Sequence, residues 1–167
     1  MRTIQLISSD NEFFVIEEHL ATLSEHIKAC VEDADADETV LIFLPIHSAI
    51  LSKVVQWANI HKDDLIPILD IGYDSDNDDT VEKCTNNIDP KDVDFLKDQK
   101  DILMDLGEAA VVLKMKKLTK VVCKTVANII KNSKSVEEIR DTLNIKCDFT
   151  PAEEEQVRRE NGFLGNI

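Results

Sequence analysis

The chain contains few of the residues from which catalytic loops are usually built. Only four glycines occur among its 167 residues, and no Gly-rich phosphate loop, GxSxG or HExxH pattern is present. Its many carboxylates lie in polar runs, which are poor surroundings for acid–base catalysis. We therefore predict that the chain is not an enzyme and that it needs no cofactor.

Cysteine pairs and long apolar runs are also missing. The four cysteines are scattered without a CxxC pair, and no cysteine or carboxylate joins His19 and His26 at metal-ligand spacing. Apolar runs such as Val40 to Leu44 are far too short to span a membrane, and no secretory signal follows Met1. We expect no metal site and a reducing compartment, the cytoplasm and nucleus.

Basic residues are outnumbered by acidic ones. The chain has 19 lysines and arginines against 33 aspartates and glutamates, a formal net charge of -14. Because each phosphate contact needs a Lys or Arg, we expect neither nucleic acid nor an anionic membrane as a partner. The lysines between Lys114 and Lys124 are embedded among apolar helical residues, which indicates a solvated helix face rather than a phosphate-binding track.

An acidic segment without an apolar period extends from about residue 70 to residue 92, and it predicts a disordered loop. The alternating aspartates from Asp74 imitate the first ligands of a calcium-binding EF-hand. However, Asp79 occupies the position that requires glycine, and Thr85 occupies that of the bidentate glutamate. We therefore interpret the segment as a solvated loop and not as a calcium site.

The remaining patterns predict an α+β fold. Two short alternating segments around the turn at 8–11 predict a hairpin of strands, and Ser24 caps a short helix. Val40 to Leu44 is apolar throughout and predicts a buried strand. The spacing from Leu51 to Ala58 then predicts a helix with Trp57 on its flank.

The C-terminal part predicts helices with too few apolar side chains to form a core unaided. From Leu118 to Lys131, apolar positions cover about half of the helix circumference, more than a one-sided surface helix needs. Capping boxes beginning at Ser135 and Thr150 start two further helices, each with three or four apolar side chains. Either these helices simply pack on the preceding one, or they leave an apolar surface that a partner helix completes. Periodicity alone does not separate the two alternatives.

Several segments resemble the Skp family of ubiquitin-ligase adaptors. The most specific are Val122–Lys131, Glu137–Arg140, Asn144–Lys146, Asp148–Thr150 and Glu153–Asn161. Shorter matches occur upstream in the same order, at Ser8–Asp10, Ala49–Leu51, Val55–Trp57 and His61–Asp64. The resemblance therefore spans nearly the whole chain.

The resemblance implies a BTB/POZ-like domain over residues 1–132 and an F-box-binding helical extension over residues 133–167. Its function would be to bridge F-box substrate receptors to a cullin scaffold. By position, the implied F-box-binding residues are Val126, Ile130, Ile139, Leu143, Ile145, Phe149, Val157, Asn161 and Phe163. The implied cullin-binding residues are Pro45, Ile46, Ile50, Met104, Val111 and Val112.

Two departures from the family pattern affect these expectations. Where the family usually ends its last helix with Trp, this chain has Phe163 after Gly162, which we expect to weaken the helix and F-box binding. Val111 and Val112 replace an Asn-Tyr pair that helps to meet the cullin, so cullin binding is less secure than F-box binding.

An alternative hypothesis follows from the second departure. The chain could be a structural scaffold that forms a homodimer through its BTB-like face or its tail, without a cullin. An elongin-C-like adaptor fits less well, because that family lacks the second, F-box-binding extension.

Overall fold

The computed structural model describes residues 4–34, 39–62 and 88–162. In these ranges the elements are β1 (Ile4–Ile7), β2 (Phe13–Ile16), α1 (Glu18–Ala21), α2 (Glu25–Glu32), β3 (Val40–Phe43), α3 (Ser48–Ile60), α4 (Pro90–Lys97), a 3-10 turn (Lys100–Ile102), α5 (Leu103–Val112), α6 (Lys116–Asn132), α7 (Val136–Thr142) and α8 (Pro151–Glu160). The predicted α+β class is confirmed. None of the helices in this part of the chain is long and apolar enough to cross a membrane.

The three strands form one sheet in the order β2-β1-β3. β1 pairs antiparallel with β2, as the predicted hairpin requires, and parallel with β3. The hairpin turn is closed by Ser8, whose hydroxyl accepts a hydrogen bond from the Glu12 N–H at 3.0 Å, while Asn11 takes a positive φ of 63°. Asparagine tolerates this left-handed conformation better than most residues, so local sequence determines the turn.

The strand predicted from Val40 to Leu44 exists, but only one of its faces is buried. Val40 and Ile42 point into the core, whereas Leu41 and Phe43 are 54% and 73% exposed. Within the described part of the chain, the predicted buried strand is therefore buried on one face only. An apolar run specifies side chains that can be buried, but only the neighbouring layers decide whether both faces are covered.

The core lies between the inner face of the sheet and helices α3, α5 and α6. Its fully buried members include Leu51, Leu103, Leu106 and Leu118. Trp57, which was expected on the flank of α3, is buried as completely as these leucines. A residue on the flank of a helix is exposed only if no other element packs on it. Helix α4 packs on Trp57 through Asp92.

Helix α4 is attached to α3 by a buried polar network. Asp92 Oδ1 accepts hydrogen bonds from Trp57 Nε1 at 2.7 Å and lies 2.9 Å from His61 Nε2. Lys117 Nζ lies 2.9 Å from the other ring nitrogen of His61. Because lysine has only donors, His61 Nδ1 must accept and Nε2–H must donate to the Asp92 carboxylate.

The predicted acidic loop, which was expected to extend to about residue 92, ends earlier than expected. Most of the loop lies outside the described residues, but α4 already begins at Pro90 and buries Asp92. The Asp89 side chain accepts from the Lys91 N–H at 2.9 Å, with proline at the first helical position. A capping Asp followed by Pro is a helix-start signal that outweighs the local charge density.

Helices α5 and α6 are joined by a tight turn and pack closely. The Met115 N–H bonds to Ala110 O at 2.9 Å across Lys114, which has a φ of 51°. This is a Schellman cap with lysine in place of the usual glycine. Gly107 lies at the crossing of the two helices, where an added Cβ would be 3.1 Å from Val122 Cγ1. A side chain there would be tight against Val122, which would have to shift by a few tenths of an ångström.

Candidate partner-binding surface

An apolar groove of about 550 Å³ runs between α5 and α6. Its apolar walls are formed by Met104, Gly107, Val111, Val122, Val126 and Ile130. Val122 is buried against the core, whereas Ile130 is 51% exposed on the same helix. The wide apolar face predicted for α6 is therefore real, and residues 4–34, 39–62 and 88–162 cover only part of it.

The groove combines residues that sequence analysis had assigned to two different partners. Val126 and Ile130 were expected to contact an F-box, and Met104 and Val111 a cullin, yet all four line the groove. They come together because α5 and α6 are joined by the short turn at Lys114 and pack against each other. A single apolar helix bound in the groove would contact both sets.

The tail adds a second exposed apolar surface beside the end of α6. Phe149 is 50% exposed, and Ile145 and Val157 are also exposed. Ile139 is half-buried and packs against the core. Leu143 differs from the prediction, because it is only 4% exposed and belongs to the core of the chain. Leu143 therefore anchors α7 instead of facing a partner.

The capping residues predicted for the tail hold its two helices as expected. The Thr150 hydroxyl accepts from the Glu153 N–H, and the Glu153 carboxylate accepts from the Thr150 N–H at 2.8 Å. Ser135 Oγ accepts from the Glu138 N–H at 3.1 Å, but the Glu138 carboxylate accepts from the Lys134 N–H at 2.8 Å and not from Ser135, so only half of the capping box predicted there is formed. These local contacts determine where α7 and α8 begin, and so which faces carry their apolar side chains.

Ion pairs between α7 and α8 orient the exposed apolar residues. Arg158 bridges Glu137 at 2.6 Å and Glu154 at 3.3 Å, and Arg140 contacts Glu154 at 3.1 Å. The hydrogen bond from Arg140 is the largest of the effects that lower the pKa of Glu154. Several exposed charges acting together hold the helix pair better than a single surface pair would.

The end of the tail differs from expectation. Helix α8 ends at Glu160 and is capped by Asn161, whose side-chain amide donates to Val157 O at 2.9 Å. Gly162 therefore follows the helix, and the expectation that it weakens the helix interior is wrong. Asn161 is exposed, as an F-box-binding residue would need to be. Phe163 lies outside the described residues.

The other predicted cullin-binding residues are divided between surface and core. Pro45 is exposed, whereas Ile46 and Ile50 are buried within the chain and Val112 is half-buried against the core. Ile46 and Ile50 can support such a surface only from beneath.

The surface around Pro45 is held by Asp10. Its carboxylate accepts from the Ser48 N–H at 2.9 Å and from the Ser48 hydroxyl at 2.6 Å, at the start of α3. The hydrogen bond from the Ser48 side chain is the main reason why the pKa of Asp10 lies far below its ordinary value. The carboxylate thus joins the hairpin turn to the first turn of α3.

Sequence analysis missed a third apolar surface, on the outer face of the sheet. Phe13 and Val15 of β2 are exposed there beside Leu41 and Phe43 of β3. The available signal was the absence of polar residues at alternate positions of FFVI and VLIF, since a sheet with one solvated face normally alternates.

Comparison with known proteins gives matches over most of the chain. The family model described as "Skp1 family, tetramerisation domain" matches residues 2–63, and "Skp1 family, dimerisation domain" matches residues 116–163. The "Skp1-related protein" of Caenorhabditis elegans is 44% identical over 168 residues, which cover 97% of this chain and 91% of that protein.

Two further relatives agree over similar lengths. The "Suppressor of kinetochore protein 1" of Schizosaccharomyces pombe is 43% identical, with 96% of each chain covered. The "SCF ubiquitin ligase complex protein SKP1a" of Dictyostelium discoideum is 40% identical, over 96% of this chain and 94% of that protein.

Proposed function

The chain belongs to the Skp1 family, and from this premise we propose that it is an adaptor subunit of an SCF-type E3 ubiquitin ligase. In this role it links an F-box substrate receptor to a cullin scaffold. The predicted POZ-like fold is confirmed by the family match over residues 2–63. The predicted domain boundary after residue 132 stays a prediction.

The observation that carries the proposal is the pair of uncovered apolar surfaces at the C-terminal end. Among the described residues, nothing covers the α5–α6 groove or removes the exposed tail side chains Ile145, Phe149 and Val157 from water. Each such side chain, once fully buried by a partner, contributes about 1.5–3 kcal/mol. Amphipathic helices of an F-box are the kind of segment that fits a groove of this type.

The cullin side of the proposal involves fewer residues than the sequence suggested. Pro45, Met104 and Val111 are exposed and can contact a cullin directly. Met104 and Val111 also line the groove, so the F-box and the cullin would meet near α5. We further propose that the chain catalyses no step itself, and that it acts in the cytoplasm and nucleus.

Titration of an F-box fragment against the full chain tests the F-box part of the proposal. Ile130→Lys and Phe149→Lys each place a charge on a predicted contact, so we expect at least about tenfold weaker binding for each. Val93→Lys is the matched control, because Val93 is a half-exposed residue of α4 that does not line the groove. Equal affinity of all three variants and the unaltered chain would refute the proposed surface.

The scaffold hypothesis remains the second candidate, because Val111 is apolar and 62% exposed. Family members with Asn at this position have a polar contact that valine cannot make. In the scaffold hypothesis the same groove or tail joins two copies of the chain. Light scattering with and without an F-box fragment separates the candidates: a dimer that persists when the F-box is bound supports the scaffold.

A further inference from the structure

One wall of the α5–α6 groove carries a negative charge inside an otherwise apolar row. Met104, Glu108 and Val111 of α5 are spaced i, i+4 and i+7, so they lie on one face of the helix, and all three line the groove. Met104 and Val111 are 48% and 62% exposed, and Glu108 is exposed between them. A carboxylate therefore occupies the middle position of the apolar row that a bound helix would cover.

The opposite wall, on α6, has no charge to offset this carboxylate. Its groove-lining side chains are all uncharged: Thr119, Val122, Cys123, Val126, Ala127 and Ile130. In the described ranges no lysine or arginine lines the groove, and no ion pair between described residues involves Glu108. A cation that balances Glu108 in a covered groove would therefore come from the partner.

The other carboxylate of the groove, Asp105, has a local explanation. Asp105 lies in the first turn of α5, where a negative charge interacts favourably with the helix dipole. Glu108 lies in the interior of the same ten-residue helix, three residues after Asp105. The dipole effect is lost there, and two like charges at this spacing repel each other. The electrostatics of the helix therefore favour Asp105 but not Glu108.

We propose that Glu108 selects the helix that binds in the groove, by requiring a lysine or arginine opposite its carboxylate. The inference rests on the proposed function, in which the groove binds a helix of an F-box protein. A helix that covers Met104 and Val111 also excludes water from Glu108 between them. Burying a carboxylate without a partner is unfavourable, whereas an ammonium or guanidinium group restores its hydrogen bonds.

The selection acts against some helices as well as in favour of others. A helix that is purely apolar opposite Glu108 leaves the carboxylate buried and unpaired, so it is rejected although it suits the rest of the groove. The net charge of -14 acts in the same direction, because it attracts basic helices and repels acidic ones. The selected segment is an amphipathic helix with an apolar stripe and a basic side chain on the side that faces α5.

Charge-swap titrations of the full chain by calorimetry test the proposal. The probe is an F-box fragment that binds the chain, in a series in which each lysine or arginine of its helices is replaced in turn by glutamate. We expect one replacement to weaken binding to the unaltered chain at least about tenfold. The same replacement should restore at least about tenfold of the affinity that Glu108→Lys loses for the original fragment.

Asp94→Lys is the matched control. Asp94 is an exposed acid of α4 outside the groove, and its replacement makes the same change in net charge. This variant should bind each fragment within about twofold of the unaltered chain, because exposed charges far from the contact are screened by salt. Fluorescence of the single, buried Trp57 shows whether each variant is folded.

The results distinguish this inference from the proposed function. If no F-box fragment binds, or if Ile130→Lys binds as tightly as the unaltered chain, the groove is not the F-box site and both are overturned. If Ile130→Lys weakens binding but Glu108→Lys rescues none of the glutamate replacements, F-box binding stands and selection by Glu108 is wrong. Rescue by Asp94→Lys to the same extent would also overturn the selection, because a general effect of charge would then explain it.

Discussion

Asp92→Ala should destabilise the fold more than the small size of the side chain suggests. The carboxylate accepts hydrogen bonds from Trp57 and His61, and all three side chains are almost completely buried. Removing it leaves two buried N–H donors without an acceptor, each at a cost of about 1–3 kcal/mol. Since a domain is stable by only about 5–15 kcal/mol, a loss of about 3–5 kcal/mol is a large part of the total.

The conservative variant separates the effects of charge and hydrogen bonding. Asp92→Asn keeps one oxygen that can accept from both Trp57 and His61. Its NH₂ group takes the place of Oδ2, which has no hydrogen-bond partner in the described part of the chain. We expect a smaller loss, about 1–2 kcal/mol. Trp57→Phe, which removes one donor and keeps most of the ring, should cost a similar amount.

Urea denaturation followed by circular dichroism measures these differences. A double-mutant cycle with Trp57→Phe and Asp92→Ala should show coupling, because the two side chains share one hydrogen bond. A loss below about 1 kcal/mol for Asp92→Ala would show that water or rearranged neighbours replace the carboxylate, and would refute the network as a major connection between α3 and α4.

Two further predictions concern the backbone and the pH dependence of stability. Lysine is strained at a positive φ, so Lys114→Gly should raise the free energy of unfolding measured in urea by about 0.5–1 kcal/mol. The control Lys120→Gly lies inside α6 and should instead lower it by about 1 kcal/mol. Asp10 has a lowered pKa in the folded chain, so its stabilising effect is complete above the unfolded pKa of about 4 and is lost as the pH falls further. Asp10→Asn should therefore flatten the acid side of a stability–pH curve, and an unchanged curve would contradict the Asp10–Ser48 contact as its cause.

Local features of the fold were predictable because their causes lie within a few residues. The hairpin at residues 8–11, the helix capped by Ser24 and the capping box at Thr150 all appear near their predicted positions, and Ser135 caps α7 although its predicted capping box is only half formed. Hydrogen bonds to a capping side chain and the periodicity of a helix depend only on near neighbours. The family resemblance, confirmed over nearly the whole chain, supplied the adaptor role and the position of the tail surface.

Burial was less predictable, because it depends on residues far apart in the sequence. Leu143 looked like a partner contact but is buried in the core, and Trp57 looked like a flank residue but is enclosed beside Asp92. In both cases the sequence showed an apolar side chain on a helix and could not show which other element would pack on it.

The amino-acid order alone thus determined the type, start and apolar face of most elements, since these follow from short-range hydrogen bonding and periodicity. Only the tertiary structure decided which apolar faces are covered. It placed Met104 and Val126 in one groove by bringing α5 and α6 together at Gly107, and it left Phe13 and Phe43 uncovered on the sheet. Those decisions depend on how separate elements pack, and packing joins residues that no local pattern connects.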